Sequence, residues 1–587
     1  MDHRAPASQA SAPTEPDCRC HGTLTRRELL EGLGRTGIGL ASAPLVAWQA
    51  LGDPTGRRPL RRSAAVARGQ AARFTILHTS DIHAQLRTHD EFFYENGRAV
   101  YRKRGGLAVL KTMVERLRAE DPANTILIDG GDCIQGGGVA ALSQGRAIVP
   151  LMDRLGYDLI LPGNWEVVYG KDQMMRDLGS QKAHKVCANM FHATADRRNG
   201  ELIFPPYWTT VLGGVKIGFI GYTDPLTPRR QSPAYSRGIA FKRPTENVAR
   251  LVDLLRRYEG CTAVFLVTHL GLAQQIDLAN QPEVEGVDLI LGADTHERVR
   301  APIQAKYSRV TEPGAFGSFV ARLDVVVEND RIRDVHYELL DVDPERDPPD
   351  PGMAAAVEHE AAPFQAELGR VVGSTSKTLV RYFVLENPMD NFITDAVMWR
   401  LRPDIAVSNG FRFCPPLEVP EGAPPREITN DDLWSMVPVD SPVKLGRVTG
   451  RQLLEWLETE LHNVFAPNPA ERFGGWVVRF KGLTINFTAR RPRGRRINSA
   501  TVGGRPLDPA RSYRLAACER EGDPNDTLCR IRGVAEPRLA GMTVHQVLRE
   551  YLAEHSPVAP AVEGRVVGTD VPPDLLSQLE GYDYQFR

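Results

Sequence analysis

Five short strings in the first half of the chain carry side chains that ligate metal ions: Asp81-Ile82-His83, Gly131-Asp132, Asn164, His269 and Asp294-Thr295-His296. Carboxylate, amide and imidazole donors without a thiolate suit Mn, Fe or Zn better than Ca or a soft-metal site. Two such ions about 4 Å apart clamp an in-line displacement and supply hydroxide at neutral pH. Taken singly the strings say little. A lone Asp-x-His is more often structural or solvated, a lone Gly-Asp is a turn, and a lone Asn caps or turns the chain. The reading rests on their coincidence, because all five fall at the ends of expected strands in one domain. Asp132 follows two glycines that let the backbone turn sharply, and it is the candidate carboxylate to bridge two ions.

The positioning elements come from hydrophobic periodicity. Short apolar runs at Phe74–His78, Thr125–Asp129, Leu159–Leu161, Val215–Ile220, Ala263–Thr268 and Leu289–Gly292 predict buried strands. Gly106–Ala119, Ile148–Leu155 and Glu246–Tyr258 predict helices between them, so the segment is a layered α/β domain. Its candidate ligands follow the C-terminal ends of strands, where α/β sheets place their sites. Phe316–Val327 and Arg331–Leu340 predict a closing hairpin turning at Asn329-Asp330. The expected division is a leader over 1–72, a metal-binding domain over 73–340, a linker and linker helix over 341–370, a substrate domain over 371–570 and a tail over 571–587. The linker helix is expected at Ala354–Leu368. In the substrate domain, helices are expected at Phe392–Leu401 and Gly450–His462, and strands at Trp476–Phe480, Leu483–Phe487 and Ser512–Ala517.

Composition sets the class. The chain has 587 residues, 42% hydrophobic and 25% charged, with net charge −1, as expected of a multidomain globular protein. Such a balance gives no field for nucleic acid or an anionic membrane, and past residue 51 no apolar run is long enough to span a bilayer. Arg26-Arg27 before a Gly- and Ala-rich, mildly apolar stretch reads as a twin-arginine export signal, hence a periplasmic protein exported folded. The alternative is an amphipathic helix with two exposed arginines. Among the cysteines, Cys518 and Cys529 could bridge a loop in an oxidising compartment; Cys133 and Cys261 read as buried thiols.

The metal strings resemble those of the calcineurin-like metallophosphoesterases, and specifically the 5′-nucleotidase family. Glu386-Asn-Pro-Met-Asp-Asn391, Ser408-Asn409-Gly410 and Leu445-Gly-Arg-Val-Thr-Gly450 agree with its C-terminal domain. The resemblance implies a four-layer α/β metallophosphoesterase-like sandwich followed by a second α/β, 5′-nucleotidase C-terminal-like substrate domain. It assigns Asp81, His83, Asp132 and His296 to one ion, and Asp132, Asn164, His269 and Asp294 to the other. At the last of these positions the family usually carries His.

Two departures narrow the function. In the family a His follows the Asn and assists the transition state, oriented by the acidic residue after it. Here the string is Gly163-Asn164-Trp165-Glu166, and an indole N–H is not acidic. General acid catalysis contributes about 10²–10⁴-fold, so the leaving group should already be a good one. The strings that present base-stacking rings in nucleotidases read here Pro438-Val439-Asp440-Ser441-Pro442 and Glu519-Arg520-Glu521-Gly522-Asp523-Pro524, without a ring. Together these resemble the thiosulfohydrolase (SoxB-type) branch of the family, from the bacterial Sox sulfur-oxidation system. The resemblance implies two Mn²⁺ ions, and sulfate release from a cysteine S-thiosulfonate by in-line attack of hydroxide. The partner it implies is the Sox sulfur carrier protein, reached through its cysteine-bearing C-terminal arm. Trp165, Glu166, Asn409 and Arg412 are then the candidate catalytic residues. Trp165 would be an apolar wall for the sulfur atoms, the alternative being a packing tryptophan. Glu166 would orient the loop, and Asn409 and Arg412 belong to the string that binds the anionic head. Arg381 and Arg400 are further candidate anion binders or surface arginines. Asp523 and Asn525 would line the arm channel or be turn residues. The rivals are a periplasmic 5′-nucleotidase or cyclic nucleotide phosphodiesterase, and a binding module without catalysis.

Overall fold

A computed structural model of the chain describes residues 71–194, 199–408, 414–577, 579 and 586. The leader and its twin-arginine string therefore lie outside the described residues. Among the described residues no helix is long and apolar enough to cross a membrane.

The first part of the chain is built on two six-stranded sheets. One runs Arg331–Asp341, Phe319–Glu328, Ala72–Thr79, Thr125–Asp129, Leu159–Ile160, His184–Lys185. The other runs Ile303–Gln304, Arg309–Thr311, Leu289–Ala293, Ala263–His269, Val215–Thr223, Tyr207–Leu212. Thr125–Asp129 and Ala263–His269 are buried at every residue, which is why they read as unbroken apolar runs rather than alternations. The sheets face each other across one hydrophobic core, where Phe74 and Phe265 meet edge-on with ring centres 6.4 Å apart. Helices Leu107–Glu120 and Pro351–Ala361 bury Leu110, Met113 and Val357 in the same core. On the second sheet, Gly218 and Gly292 let Leu255 and Gln275 approach so closely that a Cβ on either strand would collide with them. The result is the expected four-layer α/β sandwich.

Local boundaries mostly follow the periodicity, with informative exceptions. The closing hairpin turns at Asn329 and Asp330, both in the left-handed region (φ 51° and 59°), as a tight two-residue turn requires. The helix expected over Glu246–Tyr258 is broken into a 3₁₀ turn, a short α-helix Val248–Asp253 and a π-helical turn Leu254–Tyr258. The strand expected at Trp476–Phe480 begins only at Arg479, because Val477 donates its N–H to Val384 instead. A second hairpin, His89–Glu95 with Arg98–Arg104, was not expected, although Asn96-Gly97 at its turn is a standard hairpin signal.

The second α/β part centres on a five-stranded sheet ordered Arg479–Lys481, Ile405–Ser408, Ser512–Cys518, Pro442–Thr449, Ala535–Thr543. Helices Pro388–Leu401 and Val544–His555 share one hydrophobic cluster with it, and Gly450–Phe465 lies in another. The Glu386–Asn391 string proves architectural. Asn387 caps the first helix by accepting from Asp390 N, and Asp390 binds the buried guanidinium groups of Arg381 and Arg479. All described residues belong to one compact unit, and the unexpected hairpin is one of its seams. There Phe92 stacks on Tyr382 with centroids 4.7 Å apart, and Glu91 accepts from Tyr382 (2.6 Å) and Arg298 (2.6 Å). The tail returns to this seam, where Phe586 packs on Phe92 and Tyr382 and its carbonyl accepts from Tyr94 N.

Candidate metal centre and cavity

The candidate ligands meet because parallel strands bring their ends into line. Thr79 is in register with Asp129 and Asp129 with Ile160; Thr223 is in register with His269 and His269 with Ala293. The loops that leave these ends carry Asp81 and His83, Asp132, Asn164, and Asp294 and His296. Asp81, His83, Asp132, Asp294 and His296 all have positive φ, between 47° and 94°. Non-glycine residues avoid this region, and such strain concentrates at functional sites.

Two groups of donors result, Asp81 with His83 and His296, and Asp81 with Asp132 and His269. Asp81 is therefore common to both. Asp132, the expected bridge, also lies between them, its Oδ2 being 3.0 Å from His269 Nε2 and 3.8 Å from His83 Nε2. Backbone carbonyls fix the rings, with His83 Nδ1 on Gln135 O and His269 Nδ1 on Gly130 O, each at 2.8 Å. Both imidazoles thus turn Nε2 to the centre, as metal-bound histidines do.

The residues fit divalent ions. Asp81 Oδ1 is buried without a hydrogen-bond partner among the described residues, and buried His269 Nε2 faces the Asp132 carboxylate at 3.0 Å, a crowding of buried donor atoms that a cation would compensate. His83 Nε2 and His296 Nε2 stand 3.0 Å apart. Burial, then His296, holds the His83 imidazole neutral, with its pKa near 3. Burial would raise the Asp81 carboxyl, but the three surrounding histidines keep it below the ordinary range and so anionic.

Glu166 does not face this centre. Its carboxylate accepts from the N–H groups of Asp132 (2.9 Å), Cys133 (2.8 Å) and Gly163 (2.7 Å), so it positions two ligand-bearing loops. Trp165 is buried, 8% exposed, and its backbone N–H donates to Asp132 Oδ1 at 2.7 Å. Its ring meets His83 edge-on at 6.5 Å. Asn164 donates to Asp294 Oδ1 (2.5 Å) and accepts from Gln231 (2.7 Å). Asp294, expected as a ligand of the second ion, lies outside both donor groups. Its Oδ2 is taken by Arg230 Nη1 at 2.7 Å, and its Oδ1 is 3.7 Å from His269 Nε2.

A cavity of about 290 Å³ opens from these residues between the two parts of the chain. Its lining includes His83, Asp132, Asn164, Trp165 and Tyr235 from the first part and Arg381, Phe473, Trp476, Arg520 and Arg530, with several aliphatic side chains, from the second. Sequence reasoning missed Arg230, Gln231, Phe473 and Trp476. A Phe-Gly-Gly-Trp string ahead of a strand was the available signal for the rings. Val439, Ser441, Glu519 and Arg520 of the two ring-less strings do line the cavity, but its rings come from elsewhere. Asn409 and Arg412 lie outside the described residues. Arg381 is a buried partner of Asp390, not a surface arginine, and the exposed Arg400 pairs with Glu550. Asp523 pairs with Arg520 at 3.6 Å. Cys518 and Cys529 both border the cavity as free thiols, with no bridge between them.

Residues 74–298 match the calcineurin-like phosphoesterase family, and residues 371–519 match the 5′-nucleotidase C-terminal domain. The chain is 23% identical to a 5′-nucleotidase of Vibrio vulnificus over 83% of its own length and 91% of that protein. It is 23% identical to the protein UshA of Escherichia coli over 83% and 92%. Among solved structures it superposes on the sulfate thiohydrolase SoxB of Thermus thermophilus with TM-score 0.75 and 24% identity, covering 86% of this chain and 98% of that one. A 5′-nucleotidase precursor from the same organism gives TM-score 0.73 and 25% identity, covering 85% and 100%.

Proposed function

We propose that this chain, a metal-dependent hydrolase of the phosphoesterase/5′-nucleotidase family, is a thiosulfohydrolase that releases sulfate from a cysteine S-thiosulfonate. The observation that carries the reading is Trp165. It walls the cavity beside His83 and Asp132, at the place where a phosphomonoesterase of this family needs an imidazole.

Asp81, His83, Asp132, His269 and His296, with Asn164 beside them, would hold two divalent ions, for which we propose Mn²⁺. Ions bound there supply Lewis acidity and an activated water. The chain's own contribution is placement. Glu166 holds the backbone of Asp132 and Gly163, and Asp132 holds Trp165. In the reaction, water oxygen joins the terminal sulfur and the S–S bond breaks with its electron pair on the inner sulfur. The products are sulfate and a carrier persulfide, with two protons passing to solvent. A persulfide is a far weaker base than an alkoxide, so a wall that cannot donate a proton costs little. The largely apolar cavity suits an extended peptide arm carrying the modified cysteine, hence the proposed Sox-type sulfur carrier protein as partner. A periplasmic site of action, reached by twin-arginine export, belongs to the same proposal.

A second reading is kept by the Phe473 and Trp476 rings in the cavity and by relatives named 5′-nucleotidases. On that reading the substrate is a nucleotide whose base meets these rings. One assay separates the two. Manganese-loaded protein is given adenosine monophosphate and, separately, a peptide bearing a cysteine S-thiosulfonate. Sulfate without phosphate is the expected result. Phosphate without sulfate would make the protein a nucleotidase, and a retained peptide with neither product would make it a binding module.

A further inference from the structure

We infer that Arg230 is an anion-binding residue of this site, and that Asp294 is there to hold it rather than to ligate an ion. The inference rests on the hydrolase reading but not on its sulfur chemistry.

Arg230 ends a short helical turn, Thr227–Arg230, that follows the strand Val215–Thr223. Its side chain is only 16% exposed, between two carboxylates. Nη1 is 2.7 Å from Asp294 Oδ2, and Nε is 3.4 Å from Asp224 Oδ2. Its guanidinium carbon stands 5.4 Å from the centre of the Phe473 ring, close enough for a cation–π contact. Of its guanidinium nitrogens only Nη1 makes a hydrogen bond to the described residues, Nε being buried without one, and Arg230 lines the cavity together with Asn164 and Asp132. A guanidinium held by one hydrogen bond and a longer ion pair, with donors left over in the wall of a cavity, is prepared for an oxyanion.

The same contacts explain Asp294. Arg230 occupies Oδ2, Asn164 donates to Oδ1, and neither oxygen belongs to a compact donor group. A neutral imidazole at 294 would leave Arg230 with Asp224 alone. The carboxylate instead anchors the cation beside the centre. The next residue, Gln231, donates to Asn164 (2.7 Å), so one short segment sets both a donor amide and the cation. From the second half of the chain, Arg520 and Glu521 bind the backbone of Gln231 and the side chain of Ser232, holding that segment in place. The ligand class is a tetrahedral oxyanion, either the sulfonate or sulfate of the proposed reaction or a phosphoryl group.

The test uses the full-length protein reconstituted with Mn²⁺, reading metal by elemental analysis and anion binding by calorimetry with inorganic sulfate and inorganic phosphate. Arg230→Gln should keep two manganese per chain and weaken the anion bound by the unmodified protein by roughly 10–100-fold, the value of one charged hydrogen bond. Asp294→Asn should also keep both ions and weaken the same anion. Loss of one manganese in Asp294→Asn would make that residue a ligand and overturn the inference, as would unchanged anion affinity in Arg230→Gln. Should Arg230→Gln fail to fold, Arg230→Lys keeps the buried charge and must show the same pattern. Tighter phosphate than sulfate binding in the unmodified protein would count against the thiosulfohydrolase while leaving the role of Arg230 intact.

Discussion

Trp165 and Arg230 show how single residues divide the chemistry. The indole meets the His83 ring edge-on and the backbone N–H of Trp165 steadies Asp132, but the indole brings no proton of useful acidity. A leaving group that must be protonated would therefore lose about 10²–10⁴-fold of assistance. If the substrate leaves as a persulfide, Trp165→His gains nothing, and sulfate release should be unchanged or impaired. A large increase in that rate would show that the site lacks an acid it could use. The ligand residues were legible because each type stands beside a strand end. Arg230 was not, because a lone arginine in a loop carries no pattern. What makes it part of the site is a partner 64 positions away.

At the scale of elements, the centre is a set of strand-end loops held in unfavourable backbone conformations. Glu166 is the tie between two of them. Replacing it by alanine strands three buried N–H groups, each worth about 1–3 kcal/mol when left unsatisfied. Glu166→Ala should lower the denaturant midpoint and weaken metal binding by about 10–100-fold, as loss of an outer partner of a metal site does. Parallel denaturation and manganese titrations check both effects, and a variant unaltered in each would show the carboxylate to be dispensable. Strand positions were readable since wholly buried strands are runs of Ile, Leu and Val. The first hairpin was overlooked although its turn announces it, and Glu246–Tyr258 changes helix type where periodicity alone predicts one continuous helix.

For the whole molecule, the seam between the two parts decides what the cavity can be. It is sealed in part by Phe586, which is 4% exposed and packs against Phe92 and Tyr382. Phe586→Ala should destabilise the protein by about 3 kcal/mol, the lower end for removing a buried ring. Urea denaturation measures this, and an unchanged midpoint would mean that the last residues contribute nothing to the seam. By itself the sequence determined which candidate donor residues stand at or just beyond strand ends, most of the order of strands and helices, and that a tryptophan stands at 165, because each depends on residue type and on neighbours a few positions away. Only the tertiary structure decided that Asp81 serves both donor groups, that Asp294 faces Arg230, that Tyr235, Phe473 and Trp476 bring rings to the cavity, and that Arg381 is buried on Asp390. Those outcomes depend on which distant segments the packed sheets bring together, as with Asn164 and Asp294, 130 positions apart, and no local pattern encodes them.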